Sequence, residues 1–264
     1  MSDVLEQIKT VDKPVLISFG ICPFVQRSAI LMNVKGQAFE RINIDLANKP
    51  DWFLELVPTG KVPALVINEL CLDTNEGNDI RQEVLFESAI INEFLDEQYG
   101  DPLLPANALE KARQRSWVAF AENLIFLQYQ LMKAETEAAY VDLKNQLLNE
   151  LIKLKPVAGK PYFDGKQFSL VDAAFAPLFT RMQWLPEITS DLADIAAKDY
   201  KGEVDKGSNS TEHSDDVLRL IKWMEHLRTL PDVVNSVDDD FSKAFEIYFK
   251  QFNSFVISKT LNAA

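Results

Sequence analysis

The chain has 264 residues, a formal net charge of −13 and 47% apolar residues. That is ample material for one large core or two of ordinary size. The acidic balance argues against nucleic acid or an anionic membrane surface as a partner.

The stretch from Met1 to Val15 carries Asp3, Glu6, Lys9, Asp12 and Lys13 and reads as neither a signal nor a transit peptide. No apolar run approaches the roughly 20 residues that span a bilayer. Cys22 and Cys71 are far apart and form no disulfide framework or metal-type cluster, so no metal is expected. A reducing cytoplasm is the expected location.

In chain order, Val15 to Phe19 is a short apolar run between Pro14 and Gly20, which reads as a buried strand. Pro23 suits a first helical position, and the helix runs to Lys35 with Gly36 as its stop. Phe39 to Leu46 alternates as a second strand, and Pro50 to Leu56 suits one or two helical turns. Val62 to Ile67 is a third strand. Its hairpin partner is Glu83 to Phe86, reached through a long polar tip from Asp73 to Gln82. Ser88 to Tyr99 is helical.

This order predicts a small mixed α/β domain over residues 1–99. Residues 100–107 hold two prolines and read as a linker. Residues 108–264 are expected to be all-helical. Five helices are predicted: Leu109 to Glu135, Ala138 to Leu154, Leu170 to Trp184, Asp216 to Thr229 and Asp240 to Phe255. Ser169 and Asp172 form a variant of a capping box, and Pro177 is expected to kink its helix. The acidic segment from Ile188 to Asp215 reads as an exposed loop.

Cys22 stands between a strand end and a helix start. The helix N-terminus places roughly half a positive charge beside the sulfur, and its free N–H groups can bond a thiolate. Such a thiolate attacks disulfides and other electrophiles. Val25 stands where a second cysteine would complete a dithiol, and both histidines, His213 and His226, are late in the chain. Taken alone, these residues also allow a buried structural cysteine. Likewise Pro63 alone allows an ordinary trans proline, and Ser88 a plain helix cap.

Four segments resemble the cytosolic glutathione transferase superfamily, and its omega class in particular. They are Cys22-Pro23-Phe24-Val25-Gln26-Arg27, Asn48-Lys49-Pro50-Asp51-Trp52-Phe53, Gly60-Lys61-Val62-Pro63 and Phe86-Glu87-Ser88-Ala89-Ile90. The resemblance implies a thioredoxin-like N-terminal domain that binds glutathione and an all-α C-terminal domain. It implies Cys22 as a lone nucleophile that forms a mixed disulfide resolved by a second glutathione. Phe24 would pack beside the thiol, and Lys49 would meet the glycyl carboxylate. A cis Val62–Pro63 bond would present Val62 to the cysteinyl part. Glu87 and Ser88 would receive the γ-glutamyl end.

A second-substrate pocket is expected between the domains, with Phe120, Phe126, Trp184 and Trp223 as candidates. The expected activity is thiol transfer, with removal of glutathione from mixed disulfides and dehydroascorbate-type reduction as forms of it. Conjugation of glutathione to electrophiles and a non-enzymatic binding role are the alternatives. Ser18 lies nearby as a hydroxyl for conjugation, but strand alternation does not place it well. A homodimer is implied. The hairpin between Ile67 and Phe86 and the segment from Ile188 to Asp215 are longer than the resemblance leads one to expect.

Overall fold

The computed structural model describes residues 3–73, 77–159, 161–163, 165–200 and 210–263. The chain divides into two compact units. One is Met1–Pro102 with Asn235–Asp238, the other Leu103–Val234 with Asp239–Ala264. The division falls at Pro102, inside the stretch read as a linker.

The first unit is built on four strands, β1 (Val15–Ser18), β2 (Glu40–Asn43), β3 (Ala64–Asp73) and β4 (Gly77–Phe86), in the order β2-β1-β3-β4. β1 pairs parallel to β2 and antiparallel to β3, and β3 pairs antiparallel to β4. Val15, Leu16 and Ile17 are all fully buried, which is why β1 reads as a continuous apolar run rather than an alternating one. On one face, Val15, Ile17, Ala64 and Val66 pack with Ile8, Ile44, Phe53 and Val57.

Ile8 lies on α1 (Asp3–Thr10), which the sequence reading did not foresee. Asn68 of β3 holds that helix: its Nδ2 donates to Ile8 O at 2.7 Å and Val11 O at 2.8 Å. Phe53 lies on α3 (Asp51–Leu56).

α2 (Pro23–Val34) starts with proline at its first position and ends in a Schellman turn. Gly36 has φ +64, its N–H donates to Asn33 O, and Gln37 N–H donates to Met32 O. α4 (Ser88–Gln98) runs beside α2. Ser28 Oγ donates to Asn92 Oδ1 at 2.8 Å, and Lys35 pairs with Asp96 at 2.7 Å with both side chains buried.

The hairpin differs from expectation. The ladder is continuous from Ala64↔Phe86 to Asp73↔Gly77, so Gly77 to Gln82 is strand and not tip. Polar residues fit a strand when the backbone ladder itself supplies the hydrogen bonds. Asn75 lies outside the described residues.

The second unit begins with α5 (Ala108–Met132), capped by Asn107 Oδ1, which accepts from Leu109 N and Glu110 N. α6 (Glu137–Ile152) is capped by Thr136. α7 (Leu170–Thr180) contains Pro177 and is buried over Leu170 to Phe179, the pattern of a central helix. A 3₁₀ turn follows at Arg181–Trp184. Then come α8 (Pro186–Tyr200), α9 (Ser210–Thr229), α10 (Pro231–Val234), α11 (Phe241–Lys250) and α12 (Phe255–Ala263).

Two expectations are corrected here. The acidic segment is helical from Ile188 to Tyr200: Ile188, Leu192 and Ala196 recur at helical spacing and are buried, while Asp194 faces out. Residues 201–209 of that segment lie outside the described residues. The last expected helix, Asp240 to Phe255, ends at Lys250, and a further helix that the sequence reading did not foresee begins at Phe255; Asn253, with φ +53, lies between them.

Candidate functional site

Sheet register gathers the candidate residues of the first unit at one end of the sheet. Ile17 pairs with Ala64, and Ala64 with Phe86. Beyond that row β1 runs out toward Cys22, β3 begins after Val62–Pro63, and β4 leads into Glu87–Ser88. Asn43, the end of β2, pairs with Ser18 at the same edge and leads on to Lys49. Four segments distant in sequence thus meet because their strands are neighbours.

Cys22 is the N-cap residue of α2, with φ −71 and ψ 122, and its side chain makes no hydrogen bond to its own helix. Its N–H donates to Phe19 O at 2.8 Å, closing the turn after β1. The residue is half-buried, and the sulfur is in no disulfide. Cys71 lies outside the described side chains.

The turn before Cys22 is buttressed from far down the chain. Arg41 donates to Asp238 Oδ1 at 3.0 Å and to Ser236 O at 2.7 Å, and Asn43 donates to Asp238 Oδ2 at 2.8 Å. Gln26 Nε2 donates to the buried Ser236 Oγ at 3.2 Å. A Cβ at Gly20 would stand 3.1 Å from Asp238 Oδ2, so the glycine permits this close approach. Nothing in the residue types of Asn235 to Asp238 announces the contact.

The Val62–Pro63 peptide is cis. Val62 stands before the first paired residue of β3, Ala64. Gly60, with φ +58, turns the chain ahead of it, and Lys49 Nζ lies 3.5 Å from where its Cβ would be. The exposed ammonium of Lys49 therefore sits over the Gly60 turn.

At the other side, Glu87 and not Ser88 is the N-cap of α4, which corrects the reading of Ser88 as the cap. Ser88 Oγ instead accepts from Arg27 Nε at 2.9 Å and also from Nη2. Arg27 lies 5.2 Å from the Phe24 ring centroid. The α4 N-terminus follows directly, where backbone N–H groups favour an anion. Glu87 has φ 67 and ψ 108, a region that costs a non-glycine residue about 1–3 kcal/mol. Such strain persists where the surroundings impose it, and Glu87 is exposed. Glu87→Gly is expected to raise stability by about 1 kcal/mol, measured by thermal or urea denaturation. A loss of stability instead would show that the conformation is unstrained.

The four aromatic candidates of the second unit stand in different surroundings. Trp184 is buried and stacks on Phe245 at 3.9 Å, with its indole N–H donating to Glu246. Trp223 is fully buried among Phe163, Phe175 and Phe179, and its N–H donates to Asp172 Oδ1 at 2.7 Å. Its edge borders a cavity of about 550 Å³ whose other walls include Arg219, Lys222 and His226. Phe120 borders a different cavity of about 380 Å³ between α5 and α6, and Phe126 is exposed. Aromatic residues at helical spacing usually fill cores, and the two tryptophans follow that rule.

Among the described residues no cluster of His, Cys, Asp and Glu could hold a metal ion, and no helix is long and apolar enough to cross a membrane.

The chain is similar to known proteins. The family model of the glutathione S-transferase N-terminal domain matches residues 21–98. Glutathione S-transferase omega-1 of Sus scrofa is 36% identical over 172 residues, 64% of this chain and 66% of its own length. The matched part thus spans just under two thirds of that relative. A probable glutathione transferase omega-2 of Caenorhabditis elegans is 29% identical over 89% of this chain and 83% of its own. Among solved structures, glutathione transferase Omega 3C from Trametes versicolor has the same fold, with a TM-score of 0.64 and 24% identity. That match covers 89% of this chain and 94% of the other. The first unit, with the Cys22 turn, the cis Val62–Pro63 bond and the α4 N-terminus at one sheet end, thus matches the glutathione S-transferase N-terminal domain, and the chain is similar to omega-class glutathione transferases.

Proposed function

We propose that the protein is a glutathione-dependent thiol transferase that works through Cys22 alone. The observation that carries this reading is the setting of Cys22. It stands at the N-cap position of α2, at the sheet end that also bears the cis Val62–Pro63 bond, and Val25 stands where a second thiol would be. The helix N-terminus favours the thiolate.

Glutathione is the co-substrate. Val62 pairs with its cysteinyl backbone in the manner of an added strand. Lys49 meets the glycyl carboxylate, and Phe24 packs beside the thiol. The γ-glutamyl carboxylate sits on Ser88 and the α4 N-terminus, with Glu87 at the amino group.

In the first step the Cys22 thiolate attacks the glutathionyl sulfur of a mixed disulfide R–S–SG. The S–S bond breaks, R–S⁻ leaves and takes a proton from water, and Cys22 becomes glutathionylated. In the second step a glutathione thiolate attacks that glutathionyl sulfur. Cys22 leaves as thiolate and glutathione disulfide departs, so one glutathione is consumed for each mixed disulfide reduced and the disulfide bond passes from the substrate to glutathione.

Redox exchange is favoured over conjugation by one further observation. Ser18 Oγ is fully buried and has no hydrogen-bond partner among the described residues, so this hydroxyl does not reach a bound thiol. The protein is proposed to act in the cytoplasm as a homodimer.

Intact-mass analysis after exposure to glutathione disulfide tests the reading. One glutathione adduct is expected per chain, located on Cys22 and removed by excess glutathione. An adduct elsewhere, or none, overturns the mechanism.

A further inference from the structure

We propose that Arg27 is a positioning residue for glutathione, acting through Ser88 on the γ-glutamyl α-carboxylate. This rests on the glutathione site proposed above and extends it to a residue that touches no ligand.

Arg27 is 1% exposed, although it carries a full charge, which is costly to bury. Its charge is permanent near neutral pH. The Nε and Nη2 groups both donate to Ser88 Oγ. A serine hydroxyl has two lone pairs and one hydrogen. When two N–H groups occupy the lone pairs, the hydroxyl hydrogen is left to point away from Arg27 and acts as a donor.

Ser88 is the first residue of α4, so this hydrogen joins the backbone N–H groups of the first turn. The guanidinium thus fixes the direction of the hydroxyl and polarises it toward donation. It also places a full positive charge one hydroxyl behind a helix N-terminus, and both act on the same anion. Phe24 flanks the guanidinium, and the Ser28–Asn92 bond holds α2 against α4 one residue further on. The Arg27 side chain is therefore held between the helix that carries Cys22 and the helix that begins at the carboxylate.

The test compares glutathione with 4-aminobutyryl-cysteinylglycine, which lacks only the α-carboxylate, as reductants of one mixed disulfide. Arg27→Met removes the charge and the donors at similar length, and Arg27→Lys keeps the charge without the fork. In R27M the KM for glutathione is expected to rise about 10- to 50-fold, with kcat changed less than about threefold. R27K is expected to recover a substantial part of the loss. With 4-aminobutyryl-cysteinylglycine, wild type and R27M are expected to have KM values within about twofold. On a Ser88→Ala background, R27M is expected to add little.

An equal penalty on both thiols, or a loss confined to kcat, overturns the role of Arg27 while leaving the glutathione site standing. A wild-type protein that does not distinguish the two thiols overturns the site and the inference together. Should R27M not fold, R27K decides: a KM increase of a few-fold confined to glutathione supports the role, and its absence overturns it.

Discussion

Cys22→Ala is expected to lower glutathione-dependent reduction of a mixed disulfide by about three orders of magnitude or more, while the far-ultraviolet circular dichroism stays unchanged. The size follows from the chemistry. In the proposed mechanism both half-reactions run through the Cys22 sulfur, and no second thiol stands at Val25 to take over. The fold is expected to tolerate the change because the sulfur caps no backbone group of its own helix and the residue is only half-buried. Glutathione binding should survive, since the proposed contacts at Lys49, Val62 and Ser88 do not involve the sulfur. The measurement is the initial rate with a glutathionylated peptide, beside a binding isotherm for glutathione. Retention of most of the turnover would sink the mechanism.

The second large effect concerns Asp172, whose role is structural. Its Oδ2 accepts from Ser169 N and Ser169 Oγ, and its Oδ1 from Phe163 N and Trp223 Nε1, all within 2.9 Å. Ser169 Oγ in turn accepts from Asp172 N, completing the capping box of α7. One buried carboxylate thus satisfies four donors from three parts of the helical unit.

Asparagine keeps one acceptor oxygen and turns an NH₂ toward the other pair of donors. Asp172→Asn is therefore expected to cost about 3 kcal/mol, or about 6–12 °C in melting temperature for a protein of this size. Ser169→Ala, which removes one hydroxyl from the same box, is expected to cost about 1 kcal/mol. Equal melting temperatures for wild type and D172N would refute this account.

The same group sets a pH dependence. Burial pushes the Asp172 carboxyl from 3.8 up to about 6, against the pull of its hydrogen bonds to Ser169, Trp223 and Phe163. Between those values the folded state binds the proton and the unfolded state does not. The resulting stability is fully present below about pH 4 and is lost as pH rises through about 6. The deficit of D172N relative to wild type should accordingly be larger at pH 4 than at pH 7.

Much of the first unit was legible from local signals. Val15 to Ser18 is an unbroken apolar run because the strand is covered on both faces. Pro23 and Gly36 mark the two ends of α2 for reasons of backbone geometry alone. Ser169 and Asp172 form their capping box within four residues, so their spacing carries the information. α8 was misread because its outward residues are acidic. The buried Ile188, Leu192 and Ala196 occupy one position in four and are diluted by their neighbours. Aromatic residues carry a related ambiguity: sequence marks one but not which side of a helix has been closed by Phe163, Phe175 or Phe245.

What the sequence by itself determined is the set of elements and the chemistry available at Cys22. Strand pattern, helix ends and caps depend on contacts within a few residues. The tertiary structure alone decided which residues meet. The row Ile17↔Ala64↔Phe86 brings the Cys22 turn, Val62–Pro63 and Ser88 to one sheet end. The packing of α2 on α4 buries Arg27 behind Ser88. Asn235 to Asp238 return from far along the chain to support the turn before Cys22. These contacts join residues 22 to 218 positions apart in the chain, and no local propensity records them. They exist because strand pairing and helix packing bury apolar surface, and the polar groups carried along must find partners where they land.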